Sequence, residues 1–362
     1  MGARSSYAKV SCQREAIRSE LIAMQVSKVE IGEMAAGFGA AKVPYAVIVP
    51  SDGGPHPLCL FLYGGGASHR TLVDCHPLFE RWWSDGVMPP MIMACADTGP
   101  MSYYLDHPDG SARWETFIAE DFIAHLRATY DVRRERESTF ITGISMGGYG
   151  SLKIAIGRPE RFGAVAAIQP LLEPGLRDSD IGARNRLHHM IGGPRELLGE
   201  NRDAVFQANN PANRALANAD AIKKSGLAIY IEVGDEDFLN AHDGSEFLHR
   251  ILWDLDIAHE YRLIRGGDHG GSTFVPRMRD AFVWLGSVSA RLDRAGAPSS
   301  TPDERAVSEW IERGLSGNPP PVDPNSDAFI RILRAQLKPV KDQAAKIDPT
   351  TSRRFGKLPK TN

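Results

Sequence analysis

The feature that most constrains this chain is a succession of short runs that are apolar at most positions instead of at alternate ones. They are PYAVIVP (44–50), PLCLFLYGGG (57–66), PPMIMACADTGP (89–100), STFITGIS (138–145), GAVAAI (163–168), GLAIYIEVG (226–234) and EYRLIRGG (260–267). A strand with apolar side chains on both faces has to be covered on both faces, which points to a mostly parallel sheet between helices. Helical periodicity falls between these runs. In FIAEDFIAHLRATY (117–130), Phe117, Ile118, Phe122, Ile123 and Leu126 share one face, with Glu120, Asp121 and Arg127 off it. The spacing predicts further helices from just after Ser145 to Ile156, ended by Gly157 and Pro159, and over 243–255 and 275–292. The expected fold class is α/β, a mostly parallel central sheet flanked by helices. Residues 170–215 break the rhythm with Pro170, Pro174, Gly175, Gly192, Gly193, Pro194 and the run Asn209-Asn210-Pro211. This stretch is too long for a plain strand-to-helix connection and reads as an irregular excursion that roofs a site.

The chemistry concentrates where a strand turns into a helix. Gly143-Ile144-Ser145-Met146-Gly147 fits G-x-S-x-G at such a junction. A serine there sits on a tight, strained turn that lifts its hydroxyl off the sheet, and the residues two before and two after come too close to carry side chains. Ser145 is the candidate nucleophile. Its base is expected after the last strand, in Arg265-Gly266-Gly267-Asp268-His269-Gly270-Gly271, where four glycines surround His269. His188, His189 and His242 are rivals that precede that strand. The acid is expected after GLAIYIEV, in Gly234-Asp235-Glu236-Asp237-Phe238. Asp237 is preferred and Asp235 is next, because the apolar pair Phe238-Leu239 would bury that side of the turn and keep water from Asp237. An acyl transfer also needs donors for the developing oxyanion. The Met146 N–H is one by its position after the nucleophile. The second is expected from Gly65 or Gly66, where glycines let backbone N–H groups face the site. Tyr103, Tyr104 and Trp114 are candidates for the walls of an acyl or alcohol pocket.

Other functions are disfavoured by composition. Lys plus Arg is 42 against 45 for Asp plus Glu, a net charge of -3, so there is no basic excess to neutralise a nucleic acid. No apolar run reaches the roughly 18 residues of a membrane span, and the basic N-terminus lacks the apolar stretch of a secretory signal. Cys12, Cys59, Cys75 and Cys95 contain no Cys-x-x-Cys pair and read as reduced thiols of a cytoplasmic protein. No His-Glu-x-x-His occurs, and neither a metal nor another cofactor is expected. Near residue 295 the composition shifts to AGAPSSTPDE. Residues 1–295 therefore read as one catalytic domain and 296–362 as a helical, Pro-interrupted extension. Its apolar residues Trp310, Ile311, Leu315, Phe329, Ile330 and Leu333 need a host, either the catalytic body or the second subunit of a homodimer.

LFLYGGGASH, SYYLDHPDGSARWETFIAEDF, ITGISMGGYGSLKIAIGRPERFGAVAAI, VGDEDFL and GGDHGGSTF together resemble one esterase family of the α/β-hydrolase superfamily. That family includes S-formylglutathione hydrolase (esterase D), feruloyl and acetylxylan esterases, and the antigen 85 mycolyltransferases. The resemblance spreads over most of 44–286. It implies an α/β-hydrolase fold and a serine esterase acting on a small ester, with a thioesterase, an acyltransferase or a non-catalytic binding member as alternatives. Ile144 and Tyr149 stand where S-formylglutathione hydrolases carry histidines, and GGGASH lacks their cysteine, which argues against a glutathione thioester.

Overall fold

A computed structural model describes residues 27–39, 42–186 and 202–295. Its centre is an eight-stranded sheet of β1 (Ser27–Met34), β2 (Val43–Pro50), β3 (Leu58–Leu62), β4 (Ile92–Ala96), β5 (Thr139–Ile144), β6 (Ala164–Ile168), β7 (Ala228–Gly234) and β8 (Glu260–Ile264). The spatial order is β1-β2-β4-β3-β5-β6-β7-β8. The pairs β1–β2 and β2–β4 are antiparallel and all the others parallel. The inner strands β3, β4, β5 and β6 are buried at nearly every position, as strands covered on both faces have to be. From β3 the chain crosses to β4 on one side and then to β5 on the other. This reversal opens a crevice at the carboxyl ends of β3 and β5, the usual ligand position in an open α/β sheet.

Seven helices flank the sheet among the described residues: α1 (Arg70–Ser84), α2 (Ile123–Thr129), α3 (Met146–Gly157), α4 (Arg202–Asn209), α5 (Pro211–Ser225), α6 (Ala241–Asp254) and α7 (Phe274–Ala295). A short turn, Trp114–Thr116, and a π-helical stretch, Phe117–Phe122, lead into α2. In one layer, Phe79 and Trp82 of α1 meet Phe282 of α7, with ring centroids 4.9 and 5.7 Å apart. In the other, α3 packs on α5 and α5 on α6. Helix α3 is buried along almost its whole length, including Lys153.

Three elements depart from the sequence expectations. Strand β1 is an edge strand with alternating exposure, so it lacks the all-apolar signature of its neighbours. Helix α1 forms despite Pro77 within it, because Leu72, Phe79, Trp82 and Trp83 are buried and outweigh the roughly 3 kcal/mol that an interior proline costs. Among its described residues, the stretch 170–215 is irregular only in its first part. There, apart from 3₁₀ turns at Asp178–Asp180 and at 183–186, residues 170–186 form loops, while 202–209 and 211–225 are helical. Asn210-Pro211 starts a helix here: the Asn210 side chain accepts the Ala212 N–H at 3.0 Å, and Pro211 occupies a first-turn position that needs no N–H. His188, His189 and the extension 296–362, with its expected dimer contact, lie outside the described residues. No helix among the described residues is long and apolar enough to cross a membrane.

Candidate active site

Strand register assembles the site before any side chain is considered. Leu62 pairs with Gly143, so Gly64 lies level with Ser145; a Cβ on Gly64 would stand 3.5 Å from the Ser145 Cβ. Gly234 pairs with Ile264, which sets the loops after β7 and β8 side by side. Ser145 has φ 56° and ψ -115°, a left-handed conformation that costs a non-glycine residue of order 1–3 kcal/mol. Its flanking glycines show why the turn holds. A Cβ on Gly143 would enter the Gly147 carbonyl, and one on Gly147 would enter the Leu62 carbonyl. Backbone bonds complete the elbow: Ser145 N–H donates to Ile168 O at 3.0 Å, and Tyr149 and Leu171 donate to Ser145 O at 3.0 and 3.1 Å.

The structure brings Ser145, His269 and Asp237 into one hydrogen-bonded line. Ser145 Oγ lies 2.8 Å from His269 Nε2, and His269 Nδ1 lies 2.7 Å from Asp237 Oδ2. With the ring proton on Nδ1 donated to the carboxylate, Nε2 is free to accept the serine proton. Asp237 is 2% exposed, and its other oxygen accepts the Leu239 N–H at 2.9 Å. Asp235 serves otherwise: its Oδ1 accepts the Gly266 N–H at 2.7 Å and staples the two loops together. His242 pairs with Asp243 at 3.3 Å and takes no part in the line. Only one of the apolar pair after Asp237 buries. Leu239 is 9% exposed, whereas Phe238 is 63% exposed with its ring edge-on to His269, centroids 5.6 Å apart, because consecutive residues of the turn face opposite ways.

The oxyanion donors separate on hydrogen-bond accounting. Met146 is the first residue of α3, so its N–H has no acceptor within the helix. Of the two glycine candidates, Gly66 has its N–H engaged, donating to Pro100 O at 2.7 Å. Ala67 N–H is turned to Gly64 O at 3.3 Å. Among the described residues no hydrogen bond engages the Gly65 N–H, so of the two glycines it is the one left as a candidate donor. Of the three aromatics expected to wall a pocket, two are enclosed. Tyr103 and Tyr104 are 1% and 0% exposed, and the Tyr104 hydroxyl donates to Tyr63 O at 3.0 Å, just past the end of β3. Trp114 is half-buried, edge-on to Phe38 and Phe117.

Two buried charge groups that the sequence reading missed brace this constellation. Glu115 takes both Arg214 N–H groups at 2.6 and 2.9 Å and pairs with Lys153 at 3.1 Å, tying α3, α5 and the segment before α2. Burial pushes the Glu115 carboxyl up, but the Lys153 and Arg214 charges outweigh it and hold it at about 2. Burial lowers Lys153 to about 8 against the pull of Glu115. Behind the histidine loop, Arg277 of α7 grips Glu232 at 2.6 and 3.1 Å and donates to Asp268 O at 2.7 Å. Burial raises the Glu232 carboxyl, with Arg277 opposing it. A charged residue inside an apolar run, as in SLKIAIG and IYIEVG, is the one signal that could have marked Lys153 and Glu232. Among the described residues, no cluster of His, Cys, Asp or Glu has the form of a metal site.

With this geometry in place, the likeness to known proteins is informative. A family model described as "Putative esterase" matches residues 46–285, more than half of the chain. An acetyl esterase of Caldicellulosiruptor saccharolyticus is 25% identical over 199 residues, 53% of this chain and 71% of the relative. The diacylglycerol acyltransferase/mycolyltransferase Ag85B of Mycobacterium avium is 27% identical over 148 residues, 38% of this chain and 42% of that one. Among solved structures, a ferulic acid esterase superposes with a TM-score of 0.59 at 18% identity, over 73% of this chain and 98% of its own. An S-formylglutathione hydrolase from Agrobacterium tumefaciens superposes with a TM-score of 0.58 at 20% identity, over 73% and 96%. At these identities the solved structures establish a shared α/β-hydrolase fold.

Proposed function

This chain belongs to the esterase family, and from that premise we propose that it cleaves a carboxylic ester through an acyl-enzyme on Ser145. The observation that carries the reading is the unbroken line from Ser145 Oγ through His269 to Asp237, at 2.8 and 2.7 Å. Ser145 Oγ attacks the acyl carbonyl carbon while His269 Nε2 takes its proton. Asp237 stabilises the resulting imidazolium without taking the proton. The carbonyl oxygen, now negative, is met by the N–H groups of Met146 and Gly65. Collapse of the tetrahedral adduct breaks the ester C–O bond, and His269 returns its proton to the leaving alcohol. Water then repeats the sequence on the acyl-serine and releases the acid. Ser145 is 8% exposed, enough opening for attack on a carbonyl brought to the crevice.

A fluorophosphonate probe tests this directly. It is expected to label Ser145, and Ser145→Ala is expected to lose both labelling and ester turnover, with kcat down by about 10⁶, while the melting temperature stays put. Labelling or turnover that survives in the alanine variant would refute the assignment. Run on aryl esters, thioesters and sugar esters, the same assay separates the ester reading from the thioesterase alternative.

A further inference from the structure

The loop that offers Gly65 has almost nothing of its own to hold it in place. Gly64, Gly65 and Gly66 lack side chains, and Gly66 adopts φ +77° with open space around the position of a Cβ. A backbone donor left to itself on such a loop would move, yet an oxyanion donor is useful only where the charge develops. The residues at the loop's two ends, however, meet one carboxylate. Tyr63 lies just before the glycines, and its hydroxyl is 3.1 Å from Asp97 Oδ1. His69 lies just after the loop, and its Nδ1 is 2.9 Å from Asp97 Oδ2. Between these ends, Gly66 N–H is pinned to Pro100 O at 2.7 Å.

The segment that carries Asp97 is itself tightly determined. Gly99 N–H donates to Asp97 Oδ1 at 3.0 Å and aims the carboxylate. Thr98 N–H donates to the Tyr63 hydroxyl at 2.8 Å, whose single proton is shared between Asp97 and Gly99 O, the latter at 2.9 Å. Thr98 and Ser102 hydroxyls meet at 2.8 Å, and Ser102 Oγ accepts the Tyr104 N–H at 3.2 Å. Tyr103 and Tyr104 are successive residues at φ 47° and 54°, a strained pair that persists only where its surroundings over-determine it.

We infer that Asp97 is a positioning residue for the oxyanion hole: by gripping Tyr63 and His69 together, it fixes the Gly64–Gly66 loop so that the Gly65 N–H is ready before substrate arrives. This rests on the assignment of Ser145 and Gly65 above. Asp97 touches no reacting atom. Its effect is exerted through the loop, so it falls on the step in which negative charge develops and leaves ground-state binding alone.

The test measures kcat per active site, with sites counted by fluorophosphonate labelling, and the affinity for a trifluoromethyl ketone. That ketone forms a tetrahedral adduct whose oxyanion needs the same donors. Asp97→Asn keeps the shape but replaces one acceptor oxygen with a donor. It is expected to lower kcat per labelled site by about 30- to 100-fold with KM nearly unchanged, in the range of losing one oxyanion donor or misplacing it by an ångström. Ketone affinity is expected to fall by the same factor. His69→Leu is expected to lose about tenfold, and His69→Asn, which restores a donor near the place of Nδ1, to recover most of it. A merely structural role would reduce the number of labelled sites or the melting temperature and leave kcat per site and ketone affinity intact. That result, or Asp97→Asn within twofold of the unsubstituted protein on both readouts while Ser145→Ala remains dead, overturns the inference. Turnover surviving in Ser145→Ala would instead refute the site assignment on which it rests.

Discussion

On the elbow side of the crevice, Ser145 is held by absent atoms: Gly143 and Gly147 leave no room for a Cβ, and neighbouring backbone closes around the turn. On the acid–base side, His269 is held by side chains from four other places. Asp235 bonds Gly266 N–H, Asp268 bonds Phe238 and His269 N–H, Arg277 bonds Asp268 O, and Gln169 donates to His269 O. A position set by steric exclusion accepts no compromise, because backbone cannot be traded for backbone. A position set by hydrogen bonds fails by degrees and can be repaired by substituting partners together. In the proposed reaction the nucleophile needs the first kind of support, since its strained φ has to survive every turnover. In that reaction the base has to change charge and benefits from a polar, adjustable cradle.

The largest expected effect tests the acid–base side at its centre. Asp237→Asn favours the wrong ring tautomer of His269 and is expected to lower kcat by about 10⁴, close to 5.5 kcal/mol of transition-state stabilisation. Asp235→Asn, which loosens only the staple to Gly266, is expected to cost less than about tenfold in kcat. Steady-state kinetics on both variants decides between them, and a reversal of the two would make Asp235 the orienting acid.

Arg277→Met leaves Glu232 buried and unpaired and is expected to destabilise the fold by about 3–5 kcal/mol in chemical denaturation. Joining it to Glu232→Leu is expected to return most of that stability, because the pair is then replaced by apolar packing. Failure of the double variant to recover would mean that this side is as unforgiving as the elbow. Gly147→Ala puts a methyl against the Leu62 carbonyl and is expected to cost about 3 kcal/mol together with fluorophosphonate labelling of Ser145. No second substitution should restore it; a partner change that did would erase the contrast between the two sides.

The smallest effect concerns pH. His249 of α6 stacks on Tyr261 of β8, the strand that leads into the His269 loop, with ring centroids 4.5 Å apart and Nδ1 2.7 Å from His259 Nε2. Burial lowers His249 to about 4, helped by the His259 and Arg250 charges, and burial also lowers His259. The folded state therefore keeps the His249 ring neutral where the unfolded chain, titrating near 6.5, would protonate it. This contribution is present above pH 6.5 and is lost as pH falls from there toward 4. Melting temperatures measured from pH 7 to 4 are expected to decline less steeply in His249→Phe. An unchanged slope would remove this pair from the acid response.

Much of the elbow could be read directly, because steric exclusion writes itself locally: G-x-S-x-G between an apolar strand and a helix has few other uses. The order of serine, acid and histidine along the chain likewise follows the order of strands. Helix α1 was hidden by Pro77 and the start of α5 by Asn210-Pro211, since each local signal reads as a break until tertiary burial or a cap outweighs it. The exposed Phe238 and the enclosed Tyr104 were misread for a related reason: an aromatic residue type says nothing about which way the chain turns it.

By itself the sequence determined the α/β class, the strained serine and its candidate partners, because these depend on periodicity and on glycine spacing within a few residues. Only the tertiary structure decided that Gly66 spends its N–H on Pro100 while Gly65 keeps its own, that Asp235 staples and Asp237 faces the histidine, and that Lys153 is neutralised by Glu115. Each of these is a competition for one partner among groups tens of residues apart in the chain, and the winner is set by strand register and helix packing that no local pattern encodes.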